Sequence, residues 1–256
     1  MNVSMAFDPF AGRNAGKAAQ TIREIKTEDD HLVERVVNLY KNLELDMHDT
    51  RLPLLNPLQI NLVLSKCIAL GLEEHAEASD LAALISRLIQ KSYDAGNTNF
   101  VLDTYDTQIP DVGHFKARSK RRMSITVHGN VGTSFGYQSK YVDVSISGSA
   151  ANGFGQESYK SSYQAKRTEL FCGSQSDSCM YSVLKGFGEY FAHATTNSEF
   201  TFHSKMTGRD MLWMPKSEIH NCTFRCVGGK TYDELEFWLN AWNGMTRYGN
   251  KLELIK

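Results

Sequence analysis

The sequence predicts an α+β protein in which a small N-terminal helical bundle precedes a mainly antiparallel β domain with at least two packed helices. Hydrophobic residues recur at helical spacing up to about residue 100, and beyond that point they alternate with a period of two. The charge balance changes as well, because residues 1–110 hold 10 Lys and Arg against 16 Asp and Glu, whereas residues 111–256 hold 18 against 13. We therefore expect an N-terminal arm (1–26), a helical bundle (27–102) and an antiparallel β-rich α+β domain (115–256).

Three amphipathic helices are predicted in the first half. Thr27 and Asp30 resemble a capping box ahead of the first helix. The second helix should begin after Asn56, a good N-cap, with Pro57 at the first helical position, and should end near Gly71. A stripe of Leu and Ile between residues 81 and 89 predicts the third helix, which should end before Gly96.

Period-two alternation predicts the strands of the second half. MSITVHG (123–129), YVDVSISG (141–148) and EFTFHSKM (199–206) each place apolar residues on one face and polar residues on the other, as in a sheet with one solvated face. Helices are expected over about 177–193 and again from Thr231, where Glu234 completes a capping box.

The stretch EIHNCTFRCV (218–227) places His220, Cys222 and Cys226 close together in sequence. In a strand, residues four apart are separated by about 13 Å, which is too far for both sulfurs to reach one zinc ion. We therefore interpret the stretch as a strand whose cysteines face the core as free thiols, and we expect neither a metal site nor a cofactor.

The segment HFKARSKRRMS contains five cations, which are Lys116, Arg118, Lys120, Arg121 and Arg122. Such a cluster can hold the phosphates of a nucleic acid or of an anionic membrane surface. The alternative is a solvated edge strand, where cations discourage unwanted pairing.

Two further segments suggest contacts between copies of the chain. Residues 147–164 are rich in Gly, Ser and Tyr and predict a long hairpin or an inter-subunit loop, while the N-terminal arm offers aromatic anchors. The candidate oligomer contacts are Phe7, Phe10, Phe154, Tyr159 and Tyr163.

The sequence contains no recognisable catalytic signature. GRNAGKA (12–18) lacks the spacing and the hydroxyl residue of a phosphate-binding loop, and GNVGTSFG (129–136) is followed by a strand pattern where a nucleotide cradle needs a helix. None of the eight histidines falls in a metalloprotease motif.

Two stretches resemble known families in their order of elements. YVDVSISG, GFGQ and SDSCMYSVLKGFG, from Tyr141 onward, resemble the core of single-strand annealing proteins, which implies a strand, a G-x-G turn and a helix. Residues 205–243, with CTFRC and a Trp-Leu-Asn helix end, are similar to the closing unit of phage tail-tube and baseplate-hub proteins.

We expect a non-catalytic structural or assembly protein that self-associates, such as a matrix, tail or neck component of a viral or phage particle. The alternative is a nucleic-acid-binding protein of the single-strand-binding or annealing kind that uses residues 116–122, and an enzyme ranks third. The expected partners are further copies of the chain and other assembly proteins, with a nucleic acid or an anionic membrane surface as the alternative. The start of the sequence lacks the pattern of a signal peptide and no stretch is apolar enough to span a membrane, so we expect a location in the host cytoplasm or in a virion.

Overall fold

The structure of the protein, a computed structural model, describes most of the chain from residue 30 onward. The described residues are 30–41, 52–72, 78–105, 107–109, 111–168, 172–173, 175–184, 194–203, 219–227, 232–233, 235–237, 240 and 249–255. The predicted contacts Phe7 and Phe10 lie outside them.

Three helices precede the sheet, as the sequence predicts: α1 (Asp30–Lys41), α2 (Pro57–Ala69) and α3 (Ala78–Asp94). The predicted cap of α2 is confirmed, because the Asn56 side chain accepts a hydrogen bond from the Gln59 N–H at 3.0 Å and the Gln59 side chain accepts one from the Asn56 N–H at 2.8 Å. After α2 the chain turns at Gly71, which has a φ of +65°.

Ten strands follow: β1 (Asn99–Tyr105), β2 (Met123–Gly129), β3 (Val142–Ile146), β4 (Ser149–Ala150), β5 (Ser162–Ala165), β6 (Arg167–Thr168), β7 (Met180–Val183), β8 (Glu199–Phe202), β9 (Thr223–Cys226) and β10 (Lys251–Leu254). Eight of them form one sheet in the order β1-β2-β3-β5-β7-β8-β9-β10, and β4 pairs with β6. Every pairing between these strands is parallel. The fold is therefore of the α/β type, with a mostly parallel eight-stranded sheet and few helices, and the expectation of an antiparallel β domain after a helical bundle was wrong.

The strands follow chain order across the sheet because the chain repeats as a coil. Met123 pairs with Val142 and Asp143 pairs with Ser162, in each case 19 residues further along. The next two steps, from Ser162 to Met180 and from Met180 to Glu199, are 18 and 19 residues. Each turn of the coil thus adds one strand to the sheet, as in solenoid proteins.

Aromatic rings fill the interior of this coil. The rings of Tyr163, Tyr181, Phe200 and Phe224 occupy one row of the sheet register and stack at centroid separations of 5.3, 5.0 and 5.6 Å. The buried tyrosine hydroxyls donate hydrogen bonds to turn carbonyls one coil earlier, from Tyr163 to Gly136 at 3.0 Å and from Tyr181 to Gly155 at 2.8 Å. The rings therefore join successive coils to one another as well as filling the core.

Buried hydroxyls satisfy backbone groups at the bends between coils. The Ser161 hydroxyl accepts a hydrogen bond from the Val142 N–H at 3.1 Å, and the Ser198 hydroxyl accepts one from the Cys179 N–H at 3.0 Å. Asn250 plays the same part for the Cys222 N–H at 2.9 Å. These side chains allow a sharp bend inside the protein without leaving backbone donors unpaired.

The helices cover the β1 edge of the sheet. Helix α2 packs against β1, and its Asn61 side chain accepts a hydrogen bond from the Asp103 N–H and donates one to the Asp103 carboxylate, both at 2.8 Å. The buried hydrophobic residues of the helices and of the sheet form one continuous cluster. Asn61 thus pairs with the Asp103 N–H at an edge that would otherwise leave this backbone group without a partner.

Two further expectations are corrected by this coil. Residues 147–164 form neither a hairpin nor a projecting loop, because β4, a turn and the start of β5 lie within them as one coil of the solenoid. The helix expected over 177–193 is also wrong where the chain is described, since Met180–Val183 is strand β7. The helix expected from Thr231 agrees with the helical residues at 232–233, 235–237 and 240.

None of the helices in the described part of the chain has the length and the apolar composition that crossing a membrane requires.

Candidate interaction surfaces

The segment with the five predicted cations lies against helix α3, and its side chains fall into two groups. The Gln90 side chain accepts a hydrogen bond from the Lys116 N–H at 2.8 Å, and the Tyr93 hydroxyl accepts one from the Arg118 N–H at 2.8 Å. Helix α3 therefore holds the backbone of the segment in a defined position. The side chains of Lys116, Arg118 and Lys120 are exposed, whereas those of Arg121 and Arg122 are half-buried.

Arg121 and Arg122 are engaged within the fold. The Arg121 guanidinium lies 4.3 Å from the centroid of the Tyr93 ring and donates a hydrogen bond to the Tyr93 carbonyl at 2.8 Å. Arg122 donates two hydrogen bonds to Asp143, at 2.7 and 2.6 Å, and one to the Lys160 carbonyl at 2.8 Å. Arg121 thus fastens the segment to helix α3, and Arg122 fastens it to the following coils.

The Arg122 contact changes the pKa of Asp143. Partial burial acts to raise the pKa of this carboxyl, but hydrogen bonds from Arg122 and Ser162 outweigh it, so that the pKa lies below its usual value. The same pairing raises the pKa of Arg122. The pair is therefore charged at neutral pH.

A fourth exposed cation, Lys140, joins the group of three in the folded chain. Lys116 and Lys140 are partners in a parallel β-bridge, so both side chains extend from neighbouring rungs on the same outer surface. We call Lys116, Arg118, Lys120 and Lys140 the basic face. No salt bridge to any of the four is present among the residues that the structure describes.

Tyrosines border the basic face on the next coil. Tyr159 is the bridge partner of Lys140, and its ring meets the Tyr141 ring edge-on at a centroid distance of 5.8 Å. The Lys160 ammonium lies 5.0 Å from the centroid of the Tyr159 ring. Beyond Tyr159 the same row continues with Asp177, which ends the basic character of this surface.

The predicted oligomer contacts in the coil have different environments. Phe154 and Tyr163 are buried in the core, with relative exposures of 0% and 1%, and their rings contact each other at 5.2 Å. Their side chains therefore face other residues of their own chain and not a second copy. Tyr159 is half-buried beside the basic face.

Strand β10 forms the second surface, at the opposite edge of the sheet from β1. Its residues Leu252 and Leu254 continue the interior rows of Phe224 and Cys226, with which they pair. Cys226 is fully buried, but Leu254 is 49% exposed. The interior of the coil is thus only partly covered at this end.

The cysteines behave as the strand interpretation predicts. Cys222, Phe224 and Cys226 are buried on the inner face of β9 and its approach, and all five cysteines are buried thiols outside any disulfide. Burial raises the pKa of the Cys222 thiol to about 11 and that of the Cys226 thiol to about 12. Neutral, buried thiols of this kind pack as small hydrophobic groups and are poor nucleophiles.

Two histidine pairs are the nearest approach to catalytic chemistry. The Ser182 hydroxyl lies 2.8 Å from His203 Nε2, and His128 Nδ1 lies 2.9 Å from the Asp103 carboxylate. A nucleophile, base and orienting group would have to meet in one place, and the described residues bring no such triad together. Within the same residues, no three His, Cys, Asp or Glu side chains form a group that could hold a metal ion.

A small polar cleft lies beside the turns of the coil. Its volume is about 260 Å³, which is below the ~300–1,000 Å³ of most small-molecule sites. The residues that line it are Thr133, Ser134, Asn152, Gly153 and Gln156.

The chain matches no family model, and no curated protein or solved structure is significantly similar to it. The surfaces described above are therefore the basis for assigning a function.

Sequence reasoning missed Lys140 and the β10 edge. Lys140 lies 24 positions beyond Lys116, and only the coil makes these two lysines neighbours. The signal that could have revealed it is the recurrence of FGYQS at 135–139 and FGQES at 154–158. That recurrence has the 19-residue period of the coil.

Proposed function

We propose that the protein is a non-catalytic assembly protein whose copies associate through strand β10. The observation that carries the proposal is the half-exposed Leu254, which stands in an interior row of the coil where its partner Cys226 is fully buried. Covering such a side chain is favourable by roughly 25 cal/mol for each Å² removed from water. The assignment to a viral or phage particle stays a prediction from the sequence.

The occupant we propose for this edge is β10 of a second copy. The N–H groups of Lys251 and Ile255 donate to carbonyls of β9, so the backbone groups of Leu252 and Leu254 point away from the sheet. No described strand pairs with that side of β10. An exposed strand edge of this kind is a template for pairing with another chain.

Charge selects one register for an antiparallel pair related by a two-fold axis. When Leu252 lies opposite Leu252 of the second copy, the N–H and C=O groups on the outer sides of the two strands can hydrogen-bond to each other. Lys251 then lies opposite Glu253 of the second copy. Moving the axis to Lys251 or to Glu253 would place like charges opposite each other, which is unfavourable. An isologous dimer centred on Leu252 is therefore the arrangement that fits both the backbone and the charges.

A charge-swap experiment tests this dimer. We expect the wild-type protein to dimerise in light scattering after size exclusion, and K251E to weaken the dimer about tenfold or more by placing two carboxylates opposite each other. K251E/E253K restores the opposite charges and should recover most of the affinity. Glu253 also pairs with Arg225 of its own chain at 2.9 Å, and E253K removes that pair, but Arg225 retains its contact with Glu199.

The matched control is K166E, which makes the same change in net charge at an exposed residue outside β10. It should leave the dimer unchanged. A wild-type protein that remains monomeric at high concentration, or a double variant as weak as K251E, would contradict the proposal.

A further inference from the structure

We infer that the basic face binds single-stranded nucleic acid, with phosphates on Lys116 and Lys140 and a base against Tyr159. This inference is independent of the proposed self-association, because the basic face and β10 are different surfaces. The basic face contains three of the five cations that the sequence indicates, with Lys140 in place of Arg121 and Arg122. Tyr159 adds an aromatic contact.

The basic face concentrates positive charge on neighbouring rungs. Lys116 and Lys140 are bridge partners, so their backbones lie on adjacent rungs about 4.8 Å apart and both side chains extend from the same surface. Like charges directly opposite each other in a sheet are destabilising. Exposed Arg118 and Lys120 add two more cations, and a bound polyanion would convert this repulsion into attraction.

Helix α3 holds the backbone of the basic face in position before any ligand binds. The Gln90 side chain bonds both the N–H and the carbonyl of Lys116, and the Tyr93 hydroxyl accepts the Arg118 N–H and donates to the Arg121 carbonyl. Because helix α3 fixes the backbone, phosphate binding would order only the side chains, which lowers its entropic cost.

The tyrosine ring beside the basic face indicates which class of polyanion it would bind. Tyr159 occupies the rung next to Lys140, and its ring is half-exposed beside Tyr141. Unpaired bases stack on aromatic side chains next to cations, which is the usual arrangement of single-strand binding sites. A duplex keeps its bases stacked internally, so it would offer the Tyr159 ring no unpaired base to stack on.

The inference is tested with fluorescence anisotropy of a labelled oligothymidylate at several salt concentrations. We expect K116E/K140E to weaken binding about tenfold or more and to reduce the slope of log K against log salt by about two. K116Q/K140Q removes the same charges without introducing new ones and should reduce the slope similarly, so that a folding defect in the reversal variant leaves the test intact.

The matched control is K166E/R167E, which makes the same change in net charge at two exposed cations beyond the end of β5, of which Arg167 begins β6. It should bind within about twofold of the wild type. Y159A should weaken binding severalfold with an unchanged salt slope, because it removes stacking but no charge.

Several outcomes would overturn the inference. One is a wild-type protein that does not bind the oligonucleotide at low salt, and another is an equal loss in the two charge-reversal variants. Equal binding of duplex DNA, or binding of phosphatidylserine vesicles in place of the oligonucleotide, would assign the basic face to a different ligand.

Discussion

Arg122 and Lys120 show how two cations close together in sequence can differ in exposure and contacts in the folded chain. In the sequence both are members of one basic run. In the structure Lys120 is exposed, whereas Arg122 bonds Asp143 on the next coil and the Lys160 carbonyl. Composition could indicate a basic segment, but which cations remain available depends on contacts with residues 21 and 38 positions away.

Replacing Arg122 by Gln should lower the free energy of unfolding at pH 7 by about 1 kcal/mol, since the pair is partly solvated and screened. Because the pKa of Asp143 is lowered in the folded state, its stabilising contribution is present above the unfolded value near 3.9 and is lost as pH falls. Urea unfolding at pH 7, 5 and 3 should therefore show the difference between wild type and R122Q shrinking with acid. K120Q is the control and should match the wild type; an R122Q deficit that is as large at pH 3 as at pH 7 would contradict the role of Asp143.

At the scale of elements, the helices were predictable and the direction of strand pairing was not. Caps and apolar stripes identify α2 and α3 almost to the residue, because these signals are local. The strands at 123–129, 142–146 and 199–202 were also placed correctly. Alternation with a period of two, however, is the same in parallel and antiparallel sheets. The connections from β2 to β3 and from β3 to β5 contain no helix, unlike the usual parallel connection. The strands are parallel because each turn of the coil brings the chain back to the sheet in the same direction.

The turns of the coil require glycine where aromatic rings pass close to the backbone. Gly155 has a φ of +62°, and a Cβ added there would lie 2.9 Å from the rings of Tyr163 and Tyr181. Gly136 and Gly173 have the same kind of contact one coil earlier and one coil later, with Tyr163 and with Tyr181. The repeated glycine is therefore part of the packing of the stack as well as of the turn.

G155A should destabilise the protein by about 2–4 kcal/mol, because it combines an unfavourable backbone conformation with overpacking of the stack. The matched control is G71A, where φ is +65° and an added Cβ meets nothing within 4 Å. Denaturant unfolding should give a loss of about 1 kcal/mol for G71A. Similar losses in the two variants would show that the ring contact at Gly155 contributes nothing.

At the scale of the whole molecule, the two ends of the coil differ. Helix α2 covers β1 through packing and through the Asn61 side chain, whereas β10 leaves Leu254 half-exposed. Solenoids need a polar or covered end to avoid association. Asn61 occupies the Asp103 N–H on the β1 edge, whereas no described strand pairs with the outer side of β10, so association of two β10 strands is favoured over an open chain of copies.

The repeat escaped the sequence analysis because its chemistry changes from coil to coil. The interior row contains Tyr163, Tyr181, Phe200 and Phe224, and the step between strands grows from 19 residues to 24 and then 28 at the β10 end. The backbone coil is repeated although the residues at equivalent positions change. Two of the five residues expected to mediate self-association, Phe154 and Tyr163, are core residues, so the surface proposed for it is a different one.

The most direct test of self-association through β10 is a single cysteine at the two-fold axis, L252C. In an antiparallel pair centred on Leu252, the two residues at position 252 lie about 5 Å apart between Cα atoms, within reach of a disulfide, and the five native cysteines are buried. Mild oxidation should give a covalent dimer of L252C on a non-reducing gel and little dimer of K251C, whose two copies would lie farther apart. A monomeric L252C, or equal cross-linking of both variants, would contradict the proposed dimer.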